Sequence, residues 1–282
     1  MKDLPSQIFF PENYQELFAL WDNHREAVLF AGGTAIIREN KSKMINLPPV
    51  IISLDKMDEM HRISRSERYL EIGAMVTLSR IVNLGKIVPG ILRDCLKSIG
   101  GLQLRNMATI GGNICYCSKE ASSCWMRDST AALGALEAQF ELRSAQTSRW
   151  ISAMRFASFP GTAALESQEL LTRIRIPLEN WDFSSYKKFA RQPNNNMASV
   201  FLVKIQKRNL NDMRIIYKTD VIRRDRNSES ILNGKNLPLT RRIAADFIEH
   251  CEAYLSGTDG INEFSMRELV SFVERNVYSL TE

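Results

Sequence analysis

The sequence predicts an α+β fold, and three observations carry that expectation. Two glycine pairs, Gly32-Gly33 and Gly111-Gly112, each follow an extended approach and end in a small polar residue. A hairpin pattern opens a second block in which short strands mix with amphipathic helices. From about residue 183 three strand-like runs come in succession and two helices follow them, the order expected of a small α+β domain. The 282 residues, 44% of them apolar, can bury one large core or two ordinary ones.

Each element has its own reason. Tyr14, Leu17, Phe18 and Trp21 recur at helical spacing and mark an amphipathic helix. Residues 27–31 read as a buried strand feeding the first glycine pair. Ile36-Ile37 opens a helical turn, and Val50-Ile51-Ile52-Ser53 is a second apolar strand. This βαβ-like unit ends near Asp55. His61-Arg62-Ile63 and Tyr69 to Gly73 flank the polar turn Ser64-Arg65-Ser66-Glu67, a hairpin. Thr77 is placed to cap a helix through Ile81 and Val82. Ile91, Leu92, Cys95 and Leu96 form another helical stripe, stopped by Gly100-Gly101. Residues 129–137 read as helix, 138–143 as strand, and Ile174-Arg175-Ile176-Pro177 closes the unit. Three strands, 184–190, 198–206 and 213–218, then form a small antiparallel sheet. Thr240 caps a helix marked by Ala244, Phe247, Ile248 and Cys251. Ser265-Met266-Arg267-Glu268 reads as a capping box opening the last helix, with Leu269, Phe272, Val273 and Val277 on its apolar face.

Composition narrows the function. The net charge of +5 is modest and the basic residues are dispersed, apart from Arg223-Arg224-Asp225-Arg226 and Arg241-Arg242, which a solvated surface explains without nucleic acid. No apolar run approaches the roughly 18 residues of a membrane span. Residues 1–25 lack a signal pattern, so a cytoplasmic setting is expected. Five cysteines, unevenly spread, imply no disulfide framework. His24, His61 and His250 stand alone, without metal-ligand spacing. There is no P-loop, no G-x-G-x-x-G and no G-x-S-x-G. Chemistry here calls for a bound cofactor.

The glycine loops suggest which kind. Leu29-Phe30-Ala31-Gly32-Gly33-Thr34-Ala35-Ile36 and Ala108-Thr109-Ile110-Gly111-Gly112-Asn113 each let backbone approach a ligand without a Cβ in the way. Successive inward N–H groups make an anion cradle, and two such loops suit a ligand with a pyrophosphate at its centre. An ordinary tight turn accounts for either pair alone.

The chain resembles the flavin-binding subunit of molybdenum hydroxylases, the group that includes xanthine, carbon monoxide and nicotinate dehydrogenases. The resemblance rests on Ala31-Gly32-Gly33-Thr34, on Ile72-Gly73-Ala74 with Thr77-Leu78, and above all on the run Arg105 to Asn113. Glu169-Leu170-Leu171, Ile174 to Pro177, Tyr186 to Arg191 with Ala198, Ile231-Leu232-Asn233-Gly234-Lys235 and the Ser265 helix fit in order and spacing. The resemblance implies a two-part FAD-binding fold of the vanillyl-alcohol oxidase type over residues 1–178, divided near residue 55. A family C-terminal domain with a three-stranded antiparallel sheet follows over 179–282.

It implies FAD as cofactor, a molybdopterin-binding large subunit and a 2Fe-2S small subunit as partners, and NAD or another acceptor for the electrons. By family position the cofactor-binding set is residues 29–36 (Leu29, Phe30, Ala31, Gly32, Gly33, Thr34, Ala35, Ile36), Ile99, Gly100, Thr109, Ile110, Gly111, Gly112, Asn113, Asp128, Leu171 and Lys188, with no catalytic or metal-binding residue. Leu171 would pack on the isoalloxazine, or else be a plain core leucine. Lys188 would sit beside that ring, or else be a surface lysine on an edge strand.

Four departures from the family pattern stand out. Ala35 replaces an Asp after the first loop's Thr. About six residues are inserted between Ser118 and Asp128, so the ribityl or ribose contact falls to Asp128, with Ser122 or Ser123 as stand-ins. The 206–228 segment is short, and Arg191-Gln192-Pro193 replaces an Arg pair. Cys115, Cys117 and Cys124 are close in sequence, and a thiol cluster is the simpler account than an extra iron–sulfur cluster. Trp125 either shields the flavin or packs. A degenerate structural subunit with weak FAD binding is the alternative function. A stand-alone flavin oxidase would need acid–base groups that the chain lacks.

Overall fold

Three sheets organise the computed structural model, which describes residues 6–39, 47–116, 127–158, 164–190 and 196–281. The first is parallel. β1 (Gln7–Phe9) and β2 (Val28–Phe30) flank β3 (Val50–Ser53), with α1 (Tyr14–Asn23) and α2 (Thr34–Glu39) as connections. α1 starts where Asn13 accepts the Glu16 amide, and it buries Leu17 and Phe18 from the expected stripe. β1 has no counterpart in the sequence expectation. Three residues carry too little periodicity to be read, and only pairing with β3 makes them a strand.

The second sheet has the order β4-β5-β8-β6-β7, built from β4 (Ile63–Arg65), β5 (Tyr69–Gly73), β6 (Gln139–Arg143), β7 (Ser148–Ser152) and β8 (Leu170–Pro177). Its four pairings are all antiparallel. The 61–73 hairpin forms, with its first strand shifted from 61–63 to 63–65, so that Ser64 and Arg65 pair with β5 instead of making the turn. Helices α3 (Leu78–Asn83), α4 (Gly90–Lys97), α5 (Leu102–Met107), α6 (Ile110–Cys115), α7 (Ser129–Ala135) and α8 (Ala153–Ala157) belong to this unit. Thr77 caps α3 by accepting the Arg80 amide, and α4 buries Ile91, Leu92, Cys95 and Leu96.

The third sheet is antiparallel, ordered β12-β11-β10-β9: β9 (Phe183–Ala190), β10 (Asn196–Ile205), β11 (Asn211–Lys218) and β12 (Ile222–Arg223). It has four strands rather than the expected three, because the two-residue β12 pairs back onto β11. Its faces divide cleanly. Ala198, Val200 and Leu202 join the core shared with α4 and α7, whereas Met197, Phe201 and Val203 join a second core with the C-terminal helices. Those helices are α9 (Arg226–Leu232), α10 (Arg241–Ser256) and α11 (Glu263–Tyr278). Thr240 caps α10 as expected. α11 differs. Asn262 is its cap and accepts the Ser265 amide, so Ser265 lies inside the first turn and not at its start. Among the described residues no helix is long and apolar enough to cross a membrane.

Candidate functional site

The two glycine pairs lie against each other. A Cβ at Gly32 would overlap the Met107 carbonyl, so the first loop closes onto the chain just ahead of the second. Gly33 has φ +67°, the left-handed region that favours glycine, and there the chain turns from β2 into α2. All eight residues from Leu29 to Ile36 are half-buried.

Their backbone chemistry differs sharply. Among the described residues no acceptor meets the amides of Ala31, Gly32, Gly33, Thr34 or Ala35; the first internal bond of α2 runs from the Ile37 amide to the Gly33 carbonyl. The second pair leaves no such reserve. Ile110 donates to the Val76 carbonyl at 2.9 Å, Gly111 to Ala74 at 2.8 Å, and Asn113 to Thr109 at 3.0 Å. Gly112 donates to the Thr109 hydroxyl at 3.1 Å. Both loops were expected to present amides; among the described residues, acceptor-free amides lie in the first loop, whereas those of residues 110–113 are bonded internally.

Space tells the same story. A Cβ at Gly111 would lie 2.7 Å from the Ala74 Cβ and 2.8 Å from the Ala74 oxygen, so this glycine serves packing on the 72–74 segment and not an open ligand space. The second pair also opens a helix where a loop was expected. Ala108 and Thr109 are its whole extended approach, and Thr109 caps α6. Ile110 and Gly111 are buried, whereas Gly112 is exposed.

Asn113 links this segment to the next predicted residue. Its Oδ1 accepts the Ser129 hydroxyl at 2.6 Å and the Ser129 amide at 3.2 Å. That fixes the start of α7, where Asp128 sits with its carboxylate making no cap bond. Instead Asp128 Oδ2 accepts a hydrogen bond from Lys188 Nζ at 2.6 Å, joining two residues that the sequence expectation treats separately. Lys188 lies on edge strand β9, yet its side chain is only 17% exposed, which removes the surface-lysine alternative. A second ammonium, Lys218 on β11, lies 3.7 Å from Asp128 Oδ1 and is 1% exposed. Sequence reading missed Lys218. Its one signal is a lysine directly after the apolar run Ile215-Ile216-Tyr217.

Ile99 and Gly100 lie beside this cluster. The Cys95 thiol donates to the Asp128 carbonyl at 3.3 Å, and the Ser98 and Tyr186 hydroxyls meet at 3.2 Å, which holds the end of α4 over β9. Arg105 donates to the carbonyls of Lys97 at 3.0 Å and Gly100 at 2.5 Å and so pins the turn. Ile99 is buried and Gly100 exposed. Burial pushes the Cys95 thiol up to about 12 and raises Tyr186 as well, so both stay protonated. Burial pushes Lys218 below its ordinary value, against the pull of Asp128 and with the repulsion of Lys188. Leu171, on β8, is 2% exposed within the first core, in keeping with the core-leucine alternative.

Burial likewise pushes the Cys115 thiol up to about 11, which disfavours a thiolate ligand. Among the described residues no cluster of His, Cys, Asp or Glu is arranged to hold a metal ion. Cys117, Ser118, Ser122, Ser123, Cys124, Trp125 and the 191–193 segment lie outside the described residues. The three histidines do structural work: His61 meets the Asp55 carbonyl, His250 the Asp246 carbonyl, and His24 the Phe9 ring.

Residues 4–179 match the family model of the FAD binding domain in molybdopterin dehydrogenase. A glyceraldehyde dehydrogenase medium chain of Sulfolobus acidocaldarius is 28% identical over 210 residues, 73% of this chain and 72% of that one. Aldehyde oxidase 2 of Cavia porcellus is 29% identical over 198 residues, 66% of this chain but only 14% of that much longer protein. In fold, quinoline 2-oxidoreductase from Pseudomonas putida 86 superposes with a TM-score of 0.79 at 21% identity, covering 100% of this chain and 98% of its own.

Proposed function

The chain belongs to the FAD-binding domain family of molybdopterin dehydrogenases, and from that membership we propose that it is the FAD-carrying, electron-transferring subunit of a multi-subunit molybdenum hydroxylase. One observation carries the reading: the amides of Ala31 to Ala35 form a half-buried row that meets no acceptor among the described residues. Half-buried amides at a helix start are ready donors for an anionic ligand. A diphosphate fits the row, because it brings oxygens and negative charge to donors that need both. Each charge-assisted bond contributes roughly 1.5–3 kcal/mol.

In this reading the first loop holds the diphosphate. Thr109, which accepts the Gly112 amide, keeps a hydroxyl hydrogen for a phosphate oxygen. Ile99 and Gly100 line the cofactor's path, Lys188 faces its ring system, and Asp128 orients Lys188 rather than the ribityl chain. When bound, the flavin accepts and passes on electrons. The chain's own residues bind it, orient it and set the charge around it. Electrons arrive from a 2Fe-2S small subunit, a molybdopterin-binding large subunit oxidises the substrate, and NAD or another acceptor is reduced, all in the cytoplasm. Residues 1–178 carry the cofactor and 179–282 cover it. The alternative of a structural subunit with weak FAD binding gains support from Ala35, but the unspent amides weigh against it.

The test is direct. The purified chain is expected to carry FAD, or to take it up one to one, with flavin's paired absorption bands. FAD at about 100 times its dissociation constant should stabilise the fold by about 2.7 kcal/mol. The isolated chain should oxidise no substrate. A colourless protein with a melting temperature unmoved by excess FAD would remove the proposal.

A further inference from the structure

α5 lies at the centre of the site, yet it is poorly anchored by packing. It buries none of its six side chains, and Leu102, Leu104 and Met107 are 60%, 37% and 52% exposed. Arg105 alone among the six is not exposed. Its side chain supplies the hydrogen bonds that hold the helix against the 97–100 turn.

Those bonds converge. The carbonyls of Lys97, Ile99 and Gly100 meet the Arg105 Nη1 at 3.0, 3.4 and 2.5 Å. Lys97 is the last residue of α4, and a cation suits the carbonyls at that end of a helix. Gly100 has φ +55°, so the turn bends through the left-handed region at the point where Arg105 holds it most closely. Two residues on from Arg105 comes the Met107 carbonyl, the group that a Cβ at Gly32 would overlap. One short helix therefore carries the seat of the first glycine loop and the tie to the turn.

We propose that Arg105 is a positioning residue for the cofactor: its guanidinium fixes α5 on the 97–100 turn and so sets the spacing between the cradle of Ala31 to Ala35 and the Ile99-Gly100 segment. This rests on the reading that the cradle holds the diphosphate and that Ile99 and Gly100 line the cofactor's path. Two grips on one ligand reinforce each other only when their spacing matches the ligand. With α5 released, the cradle still offers its amides, but no longer at the distance from the turn that a dinucleotide spans. Arg105 acts through the turn that it holds.

The readout is a pair of affinities. Arg105→Met keeps an unbranched stem and removes the donors. It should weaken FAD binding to the purified chain about tenfold. Inorganic pyrophosphate needs the cradle alone, so its inhibition constant against FAD should stay the same. The three carbonyls meet one nitrogen, and an ammonium also carries three donors, so Arg105→Lys should restore FAD binding. A merely structural Arg105 would lower the melting temperature and move both affinities together or neither. Wild-type FAD affinity in a folded Arg105→Met chain, equal losses for FAD and pyrophosphate, or an Arg105→Lys chain no better than Arg105→Met overturns the proposal.

A crystal structure of the wild-type chain with FAD needs no variant. Arg105 on the three carbonyls, with residues 31–35 and 99–100 against the same FAD molecule, supports the proposal. FAD that meets 31–35 without reaching 99–100, or Arg105 turned off the carbonyls, overturns it. A wild-type chain that takes up no FAD, or whose FAD pyrophosphate does not displace, would remove the functional reading itself, a different result from either.

Discussion

At Gly32-Gly33 the chain keeps its amides in reserve, and at Gly111-Gly112 it uses them on itself. The first loop is half-buried, turns through a left-handed glycine and presents five amides that meet no acceptor among the described residues. The second is tied to Val76, Ala74 and Thr109 and continues through Asn113 and Ser129 to the buried ion cluster of Asp128. Two loops of nearly the same composition thus divide the work. One is a cradle and the other a buttress that fixes where the cradle sits, through the contact of Gly32 with Met107. A glycine pair marks close backbone approach, but only the hydrogen-bond ledger tells whether the visitor is a ligand or the chain itself.

The buttress can be broken hardest at its anchor. Asp128→Asn removes the buried carboxylate that Lys188 and Lys218 face and should destabilise the fold by about 3–5 kcal/mol in chemical denaturation. A loss under about 1 kcal/mol would mean that the cluster anchors little. Gly111→Val drives a side chain into Ala74 and should cost about 1–3 kcal/mol, equally in apo and FAD-saturated protein. A loss confined to the FAD-saturated protein would make Gly111 part of the cradle after all.

The cradle should respond in the opposite way. Thr34→Pro removes one unspent amide at the first helical position, where proline is tolerated. It should weaken FAD binding about tenfold, near 1.4 kcal/mol, while the apo melting temperature holds; Thr34→Ala separates out the hydroxyl. The smallest effect lies just ahead of β8. Hydrogen bonds from Arg149 hold Glu169 below its ordinary carboxylate value. The stability this gives is present above pH 4.5 and lost as the pH falls through the depressed native value. With Arg149 38% exposed, solvent screening keeps it under about 1 kcal/mol. Glu169→Gln should flatten acid unfolding by that amount.

Much of this was legible residue by residue. α10 announces itself through Thr240 and the stripe Ala244, Phe247, Cys251, because cap and periodicity agree. α5 and α6 were hidden because Gly111-Gly112 looks like a loop and each helix has only six residues. The α11 start was misread because Ser265 has the right chemistry for a cap, yet Asn262 reaches its amide first. Asp128 and Lys188 were legible through family resemblance alone. Their mutual bond was not, since it joins residues 60 apart. Lys218 could be found only from strand register, which sets it beside Lys188 across Ala198.

Residue-resolved amide hydrogen exchange, with and without FAD, tests the central claim most directly. The division of labour predicts that residues 31–35 exchange fast in the apo chain and become protected on adding FAD, while 110–113 are protected throughout. Protection gained at 110–113 with none at 31–35 would contradict it.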